Sequence, residues 1–193
     1  MEIKEIIGAI TVALTFIAYI PYYRDILRGK THPHIYSWSL WGLLTVLIVA
    51  LQIKGGAGPA VWVTIAAGLL CLGVVILSIR RGKRDITIAD TITAILSLIS
   101  IVLWLLINQP VVALLFAVTA DMFAFFPTVR KSWHQPYAET LSLYITNTLR
   151  FFLVLLAVEH YTILSSLWPI AWAVVNGLFS IMLIVRRRYK RSE

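Results

Sequence analysis

The sequence predicts an all-α integral membrane protein with seven transmembrane helices, and three observations lead to this fold class. First, 60% of the 193 residues are hydrophobic and only 13% are charged, whereas soluble domains are about 45–50% apolar and about 25% charged. Second, the apolar residues form seven stretches close to the roughly 17–25 residues that a membrane-crossing helix needs. Third, lysine and arginine are concentrated in every second loop along the chain. These observations exclude a soluble globular, a disordered or a soluble nucleic-acid-binding protein, although the net charge is +8.

The seven spans are separated by turn signals along the chain. Gly55, Gly56 and Gly58, followed by Pro59, separate spans two and three, because glycine and proline favour turns. The uncharged stretch 91–120 is too long for one span, and Pro110 divides it, since proline fits the first turn of a helix and not its interior. The predicted spans are 6–22, 35–53, 59–79, 88–107, 111–128, 138–158 and 163–185.

The distribution of lysine and arginine predicts an orientation. The loops after spans one, three and five and the C-terminal tail carry 14 of the 17 basic residues, and the opposite side carries two, Lys4 and Lys54. Cytoplasmic loops are enriched in lysine and arginine. We therefore expect an outside N-terminus and a cytoplasmic C-terminus. Compact loops favour a bacterial cytoplasmic membrane.

An internal repeat relates the first three spans to the last three. An offset of 106 residues aligns Pro21 with Pro127, and it aligns several further identical residues without a gap. These further pairs are Ala18/Ala124, Arg24/Arg130, Leu43/Leu149, Leu47/Leu153, Trp62/Trp168, Arg80/Arg186 and Arg81/Arg187. A single span between the triplets makes the repeats parallel, related by an axis along the membrane normal. The predicted division is a three-helix-bundle repeat over 1–84, a linker helix over 85–109, and a second repeat with a basic tail over 110–193.

This plan resembles the SWEET / PQ-loop superfamily of small-solute transporters over nearly the whole chain. The resemblance rests on the three-plus-one-plus-three plan, the predicted outside N-terminus, and a proline in the segments AYIPYYR (18–24) and AFFPTVR (124–130). The glutamine that follows this proline in the family is replaced by Tyr22 and Thr128. The segments at 22–31 and 130–134 also resemble an uncharacterised group of bacterial membrane proteins. The family uses an asparagine on span seven with aromatic residues on spans two and six, which implies a substrate role for Asn176 and Trp41.

Polar side chains inside the spans are the candidate site, because such groups are costly in hydrocarbon. Asp121, Asn147 and Asn176 lie about 9–13 Å from the ends of their helices, at a rise of about 1.5 Å per residue. They therefore share a layer near the membrane middle and are predicted to face one cavity, with Arg150 about one turn away. The predicted substrate-binding residues are Asn176, Asn147, Trp41, Trp38, Tyr144 and Thr15.

Structural roles for these polar residues remain open. Asp121 and Arg150 form a buried ion pair, take part in coupling to protons or substrate, or do both as a pair that breaks on protonation. Asn147 either bridges helices or binds substrate. Asn176 either binds substrate or marks, with Gly177, a point of close helix packing.

The aromatic residues have alternative roles as well. Trp38 and Trp41 share one helix face, where they either pack in the core or stack on a ligand. Trp168 is predicted to lie in the aromatic belt at the membrane interface.

The function predicted from these residues is transport. A facilitator or proton-coupled transporter would move a small polar metabolite, such as a sugar or vitamin, by rocking the two triplets about the central site. Pro21 and Pro127 are the predicted hinges, because proline removes a backbone hydrogen bond from a helix. The alternative is a membrane sensor or assembly protein that binds a ligand, lipid or partner without transport.

Other classes are disfavoured by the motifs that the sequence lacks. It has no phosphate-binding loop, no HExxH motif and no nucleophile beside a base, so we predict neither an enzyme nor a cofactor. His32, His34 and His134 could hold zinc with Glu139 in principle. Because Pro33 does not favour a shared geometry for its two neighbours, no metal is predicted. The expected partners are a small-molecule substrate, membrane lipids and a further copy of the chain, and not nucleic acid.

Overall fold

The chain folds into a bundle of helices. A computed structural model describes residues 2–81, 87–106 and 108–192, and these residues form seven helices and no strand. The helices are α1 (Ile3–Leu27), α2 (Ile35–Lys54), α3 (Ala60–Arg81), α4 (Ile88–Leu105), α5 (Pro110–His134), α6 (Leu141–Ala157) and α7 (Ile163–Ser192). The all-helical fold class is thus confirmed. The predicted boundary between residues 84 and 85 lies outside the described residues.

Five of these helices are long and apolar enough to cross a membrane, namely α1, α2, α3, α5 and α7. The apolar part of α4, Thr91–Leu103, and α6, Leu141–Ala157, are shorter. Helix α6 begins three residues later than its predicted span, because Thr140 is its extended N-cap residue. The described residues thus contain seven helices, of which five meet the requirement for a span. They indicate an integral membrane protein.

The bundle has an apolar surface and polar groups in its interior, which is the reverse of a soluble protein. Large aliphatic side chains such as Val46, Leu69 and Ile181 are 60–70% exposed. Polar and charged side chains, among them Asp121 and Arg150, are buried. An apolar surface of this extent is suited to contact with lipid.

The first triplet (α1–α3) and the second triplet (α5–α7) pack in the same way. Helix α3 contacts α1 and α2, and α7 contacts α5 and α6. Between the triplets, α1 contacts α6 and α2 contacts α5, while α2 contacts α7 and α3 contacts α6. Helix α4 contacts α5 and α2. The six helices of the triplets therefore enclose a common centre, and α4 lies outside it.

At one end of the bundle, which we call the glycine end, two loops are bonded together. They are the α2–α3 loop (55–59) and the α6–α7 loop (158–162). The amides of Glu159 and His160 donate to the carbonyl oxygens of Ala57 and Gly56, at 3.2 and 3.1 Å. Gly56 and Gly58 have φ angles of 70° and 58°, which glycine adopts without steric cost. These bonds join the first triplet to the second.

At the other end, which we call the basic end, polar contacts surround the start of α6. The Thr140 hydroxyl donates to Asp25 at the end of α1, at 2.8 Å. The buried Glu139 accepts from Lys131 of α5 and, at 3.0 Å, from the Tyr144 hydroxyl of α6. Arg187 of α7 donates to the Glu139 carbonyl oxygen at 2.7 Å. The start of α6 is therefore fastened to three other helices.

The predicted basic tail is an extension of α7. Arg186 donates through Nε to the carbonyl oxygen of Trp133 at 2.9 Å, and Arg187 donates to that of Pro136 at the same distance. Because these arginines satisfy carbonyl groups near the end of α5, α7 stays attached to the bundle beyond its apolar part.

Candidate functional site

A cavity of about 70 Å³ lies at the centre of the bundle, between the two triplets. Its wall includes side chains from α1, α2, α3, α5, α6 and α7. Seven residues that the sequence predicts for the site line it: Trp38, Trp41, Asp121, Tyr144, Asn147, Arg150 and Asn176. Asp121, Asn147 and Asn176 therefore share one cavity in the structure.

Two predicted residues, Thr15 and Pro21, lie outside the cavity wall. Thr15 is fully buried and contacts the cavity wall through Arg150, whose Nη1 donates to its hydroxyl at 3.0 Å. Pro21 lies inside α1, which continues to Leu27. Helix α5 likewise continues through position 127, and the Pro127 side chain lies outside the described part of the chain.

Asp121 is held by two tryptophans of α7. The indole Nε1 atoms of Trp168 and Trp172 donate to its Oδ2 atom at 2.7 and 3.2 Å. Trp41 of α2 donates to the Asp121 backbone oxygen at 3.3 Å. Asp121 is only 3% exposed, so these indoles take the place of solvent around the carboxylate. Two N–H donors on one oxygen are the partners that stabilise an ionised carboxyl group.

The structure corrects the predicted location of Trp168. The interfacial aromatic belt is the wrong location for it, since Trp168 is 6% exposed and bonded to Asp121. The spacing of Trp168, Trp172 and Asn176 by four residues places all three on one face of α7. That spacing is the signal that could have identified the two tryptophans from the sequence.

Arg150 is buried in the same cavity without an ionic partner. Besides the bond to Thr15, its guanidinium lies 4.3 Å from the centre of the Phe151 ring. Its Nε atom has no hydrogen-bond partner among the residues that the structure describes. Within the same residues Arg150 forms no ion pair. In this structure Asp121 and Arg150 are therefore not paired with each other.

Asn147 and Asn176 present free acceptors. Asn176 donates through Nδ2 to the Trp172 carbonyl oxygen, one turn earlier on α7, at 2.7 Å. The Oδ1 atoms of both asparagines are buried and have no partner within the described parts of the chain. A buried polar atom without a partner costs about 1–3 kcal/mol. Both asparagines line the cavity.

Aromatic rings form the rest of the wall. Trp41 lies edge to face with Trp38 and with Trp172, at centroid distances of 5.1 and 5.8 Å. Phe125 packs at 6.1 Å against both Trp41 and Tyr144. The sequence analysis did not identify Phe125, Tyr19 or Cys71 as wall residues. The site thus combines an aromatic wall with a few polar groups, a composition typical of ligand pockets.

Tyr144 connects the cavity to the basic end. It lines the cavity and also donates to Glu139 at 3.0 Å. Since Glu139 also accepts from Lys131, the position of this ring is linked to the end of α5.

In comparisons with known proteins, no family model, no curated protein and no solved structure matches the chain. The resemblance to the SWEET / PQ-loop superfamily therefore stays a prediction from the sequence.

Proposed function

We propose that the protein transports a small polar solute across a membrane by alternating access to the central cavity. The observation that carries the proposal is a central cavity lined by three buried polar residues, Asn147, Asn176 and Arg150. Each has a side-chain atom without a hydrogen-bond partner among the described residues: Oδ1 of the two asparagines and Nε of Arg150. Buried polar groups are normally paired. A cluster of free ones around one space is best accounted for by a guest that supplies the partners.

The contacts between the triplets support an alternating mechanism. Loop contacts close the glycine end, and the Asp25–Thr140 bond joins the triplets at the basic end. Breaking one set while keeping the other would open the cavity to one side at a time. We propose the basic end as the cytoplasmic one, because positive charge favours that side. Pro21 and Pro127 are proposed as points where α1 and α5 bend.

The repeat is part of this proposal. Helices α2 and α6 begin at Ile35 and Leu141, which is the 106-residue offset found in the sequence. Their N-cap residues, His34 and Thr140, occupy matching positions. The same offset also relates the helix contacts in pairs. For example, the α1–α3 contact corresponds to the α5–α7 contact, and the α1–α6 contact corresponds to the α2–α5 contact. Two equivalent triplets around one site are a common plan among transporters.

The size of the cavity favours a second candidate. About 70 Å³ is far below the roughly 300–1,000 Å³ of pockets for drug-sized ligands. A protein that senses a very small ligand, without moving it, needs no larger space. Transport requires that the ligand also leaves on the other side.

An efflux experiment separates the two functions. Purified protein is reconstituted into vesicles loaded with pooled sugars, vitamins, nucleosides and amino acids, and the retained solutes are measured by mass spectrometry. We expect wild type to release at least one solute and Asn176→Ala to release it at least tenfold more slowly, because the variant removes one free acceptor. Thr119→Ala is the matched control, since Thr119 lies on α5 two residues from Asp121 and is exposed.

The alternative outcomes are equally informative. Solutes that stabilise the protein in a thermal-shift assay but are never released would replace transport with sensing. If no pooled solute binds or leaves, the proposed function is wrong.

A further inference from the structure

Two buried ionisable side chains, one acidic and one basic, line the central cavity and form no ion pair with each other. Asp121 is 3% exposed and Arg150 is 2% exposed, and both line the cavity. Among the described residues neither has an ionic partner. The partners of Asp121 are two neutral indoles, and the partner of Arg150 is a neutral hydroxyl group.

Such an arrangement is costly unless something completes it. A guanidinium group stays protonated in proteins, and a buried charge is strongly unfavourable without a counter-charge. If these two residues were meant only to stabilise the bundle, a direct ion pair would lower this cost. The cavity holds them apart instead, beyond the 4.0 Å within which an ion pair would form.

The buried side-chain atoms without a hydrogen-bond partner include both acceptors and a donor. Among the described residues that line the cavity they are the Oδ1 atoms of Asn147 and Asn176 and Nε of Arg150. The lining thus contains acceptors and an acidic side chain for one part of a guest, and a donor and a basic side chain for another.

We propose that the cavity binds a small zwitterion, with its ammonium group facing Asp121 and the two asparagine oxygens and its carboxylate facing Arg150. This inference rests on the proposed transport function and adds the chemical class of the solute.

The cavity volume limits the size of this zwitterion. About 70 Å³ is far below the roughly 300–1,000 Å³ of pockets for drug-sized ligands. The cavity therefore favours the smallest zwitterions, such as glycine and alanine. A neutral polyol of the same size would leave both charges without partners, and a simple amine or a simple carboxylate would leave one.

The test is a ladder of small probes on the wild-type protein. Binding of glycine, ethylamine, acetate, ethanolamine and ethylene glycol is measured by titration calorimetry in detergent. We expect glycine to bind at least tenfold more tightly than each of the other four. Equal or tighter binding of any of the other four probes to the wild-type protein would overturn the inference.

In Arg150→Gln the order of the affinities for glycine and ethanolamine should reverse, a result that a damaged fold would not produce. Without the guanidinium, the site retains the partners for an ammonium group but not those for a carboxylate. We expect glycine binding to weaken at least tenfold and ethanolamine to become the preferred probe of the two. Thr119→Ala should keep the wild-type preference. A folded Arg150→Gln variant that still prefers glycine would contradict the assigned role of Arg150.

The two proposals fail in different ways. Release of sugars or polyols from vesicles, lost in Asn176→Ala, would retain transport and reject the zwitterion. Selective glycine binding without release from vesicles would retain the zwitterion site and reject transport.

Discussion

Replacing Gly58 with alanine should lower the free energy of unfolding by about 2–5 kcal/mol. Gly58 has a φ angle of 58°, and a side chain in this left-handed region costs about 1–2 kcal/mol. An added Cβ would also lie 2.7 Å from Cβ of Glu159 and closer still to Oε2 of that residue. Forcing an atom into a packed contact typically costs a further 1–3 kcal/mol. The loss is measured by reversible unfolding of the purified protein in detergent.

Gly29→Ala is the matched control for backbone strain. Gly29 has a similar φ of 69°, but its added Cβ would meet no atom of the described residues within 4 Å. This variant should lose only the strain, about 1–2 kcal/mol. Equal losses for the two variants would mean that the two loops of the glycine end are not held together as described.

Gly58→Ala should also open the cavity at the glycine end. Cys71 lines the cavity and is the sole cysteine of the chain, so its reaction with a thiol reagent reports access without an engineered label. We expect faster labelling in Gly58→Ala than in Gly29→Ala when a membrane-impermeant maleimide is added to the side of the glycine end. Labelling that is unchanged on that side and faster on the other would contradict the assignment of this end as a closure.

The second large effect concerns the bond between Asp121 and Trp168. Trp168→Phe should lower the free energy of unfolding by about 1.5–3 kcal/mol, the range for hydrogen bonds to charged groups. The buried carboxylate loses its shorter contact, at 2.7 Å, and keeps the longer one, at 3.2 Å from Trp172. Phenylalanine keeps much of the ring packing, which is a T-shaped contact with Phe151 at 5.3 Å.

A double-mutant cycle with Asp121→Leu isolates this bond. Asp121→Leu leaves the indole donors unpaired, whereas Asp121→Leu with Trp168→Phe removes both partners, which is far less costly than removing one. We expect the combined loss to be smaller than the sum of the single losses by about 1.5–3 kcal/mol. Losses that add within about 0.5 kcal/mol would show that the bond does not contribute to stability.

Much of the helical framework could be predicted because it depends on local properties. Long apolar stretches determine where helices form in a membrane protein, since every backbone polar group must be paired within the segment. Pro110 begins α5 as expected, and Gly55 is the C-cap residue of α2. The ends were less predictable, because Arg186 and Arg187 extend α7 by contacts with residues about 50 positions away.

The candidate site could be predicted in part for the same reason. Helix rise alone places Asp121, Asn147 and Asn176 in one layer, and they line one cavity. Their partners could not be predicted this way. Whether Asp121 bonds to Trp168 or to Arg150 depends on which face of α7 turns towards α5.

Hydropathy and helix rise predict a helical membrane protein with a few polar groups in one layer, because both are properties of each segment alone. Three further features appear only in the folded chain: the separation of Asp121 from Arg150, the asparagine oxygens without a partner among the described residues, and the joining of the two loops at the glycine end. These features depend on how helices distant in sequence rotate and pack against one another. Side-chain shape and complementarity across the bundle set that packing, and no single segment contains this information.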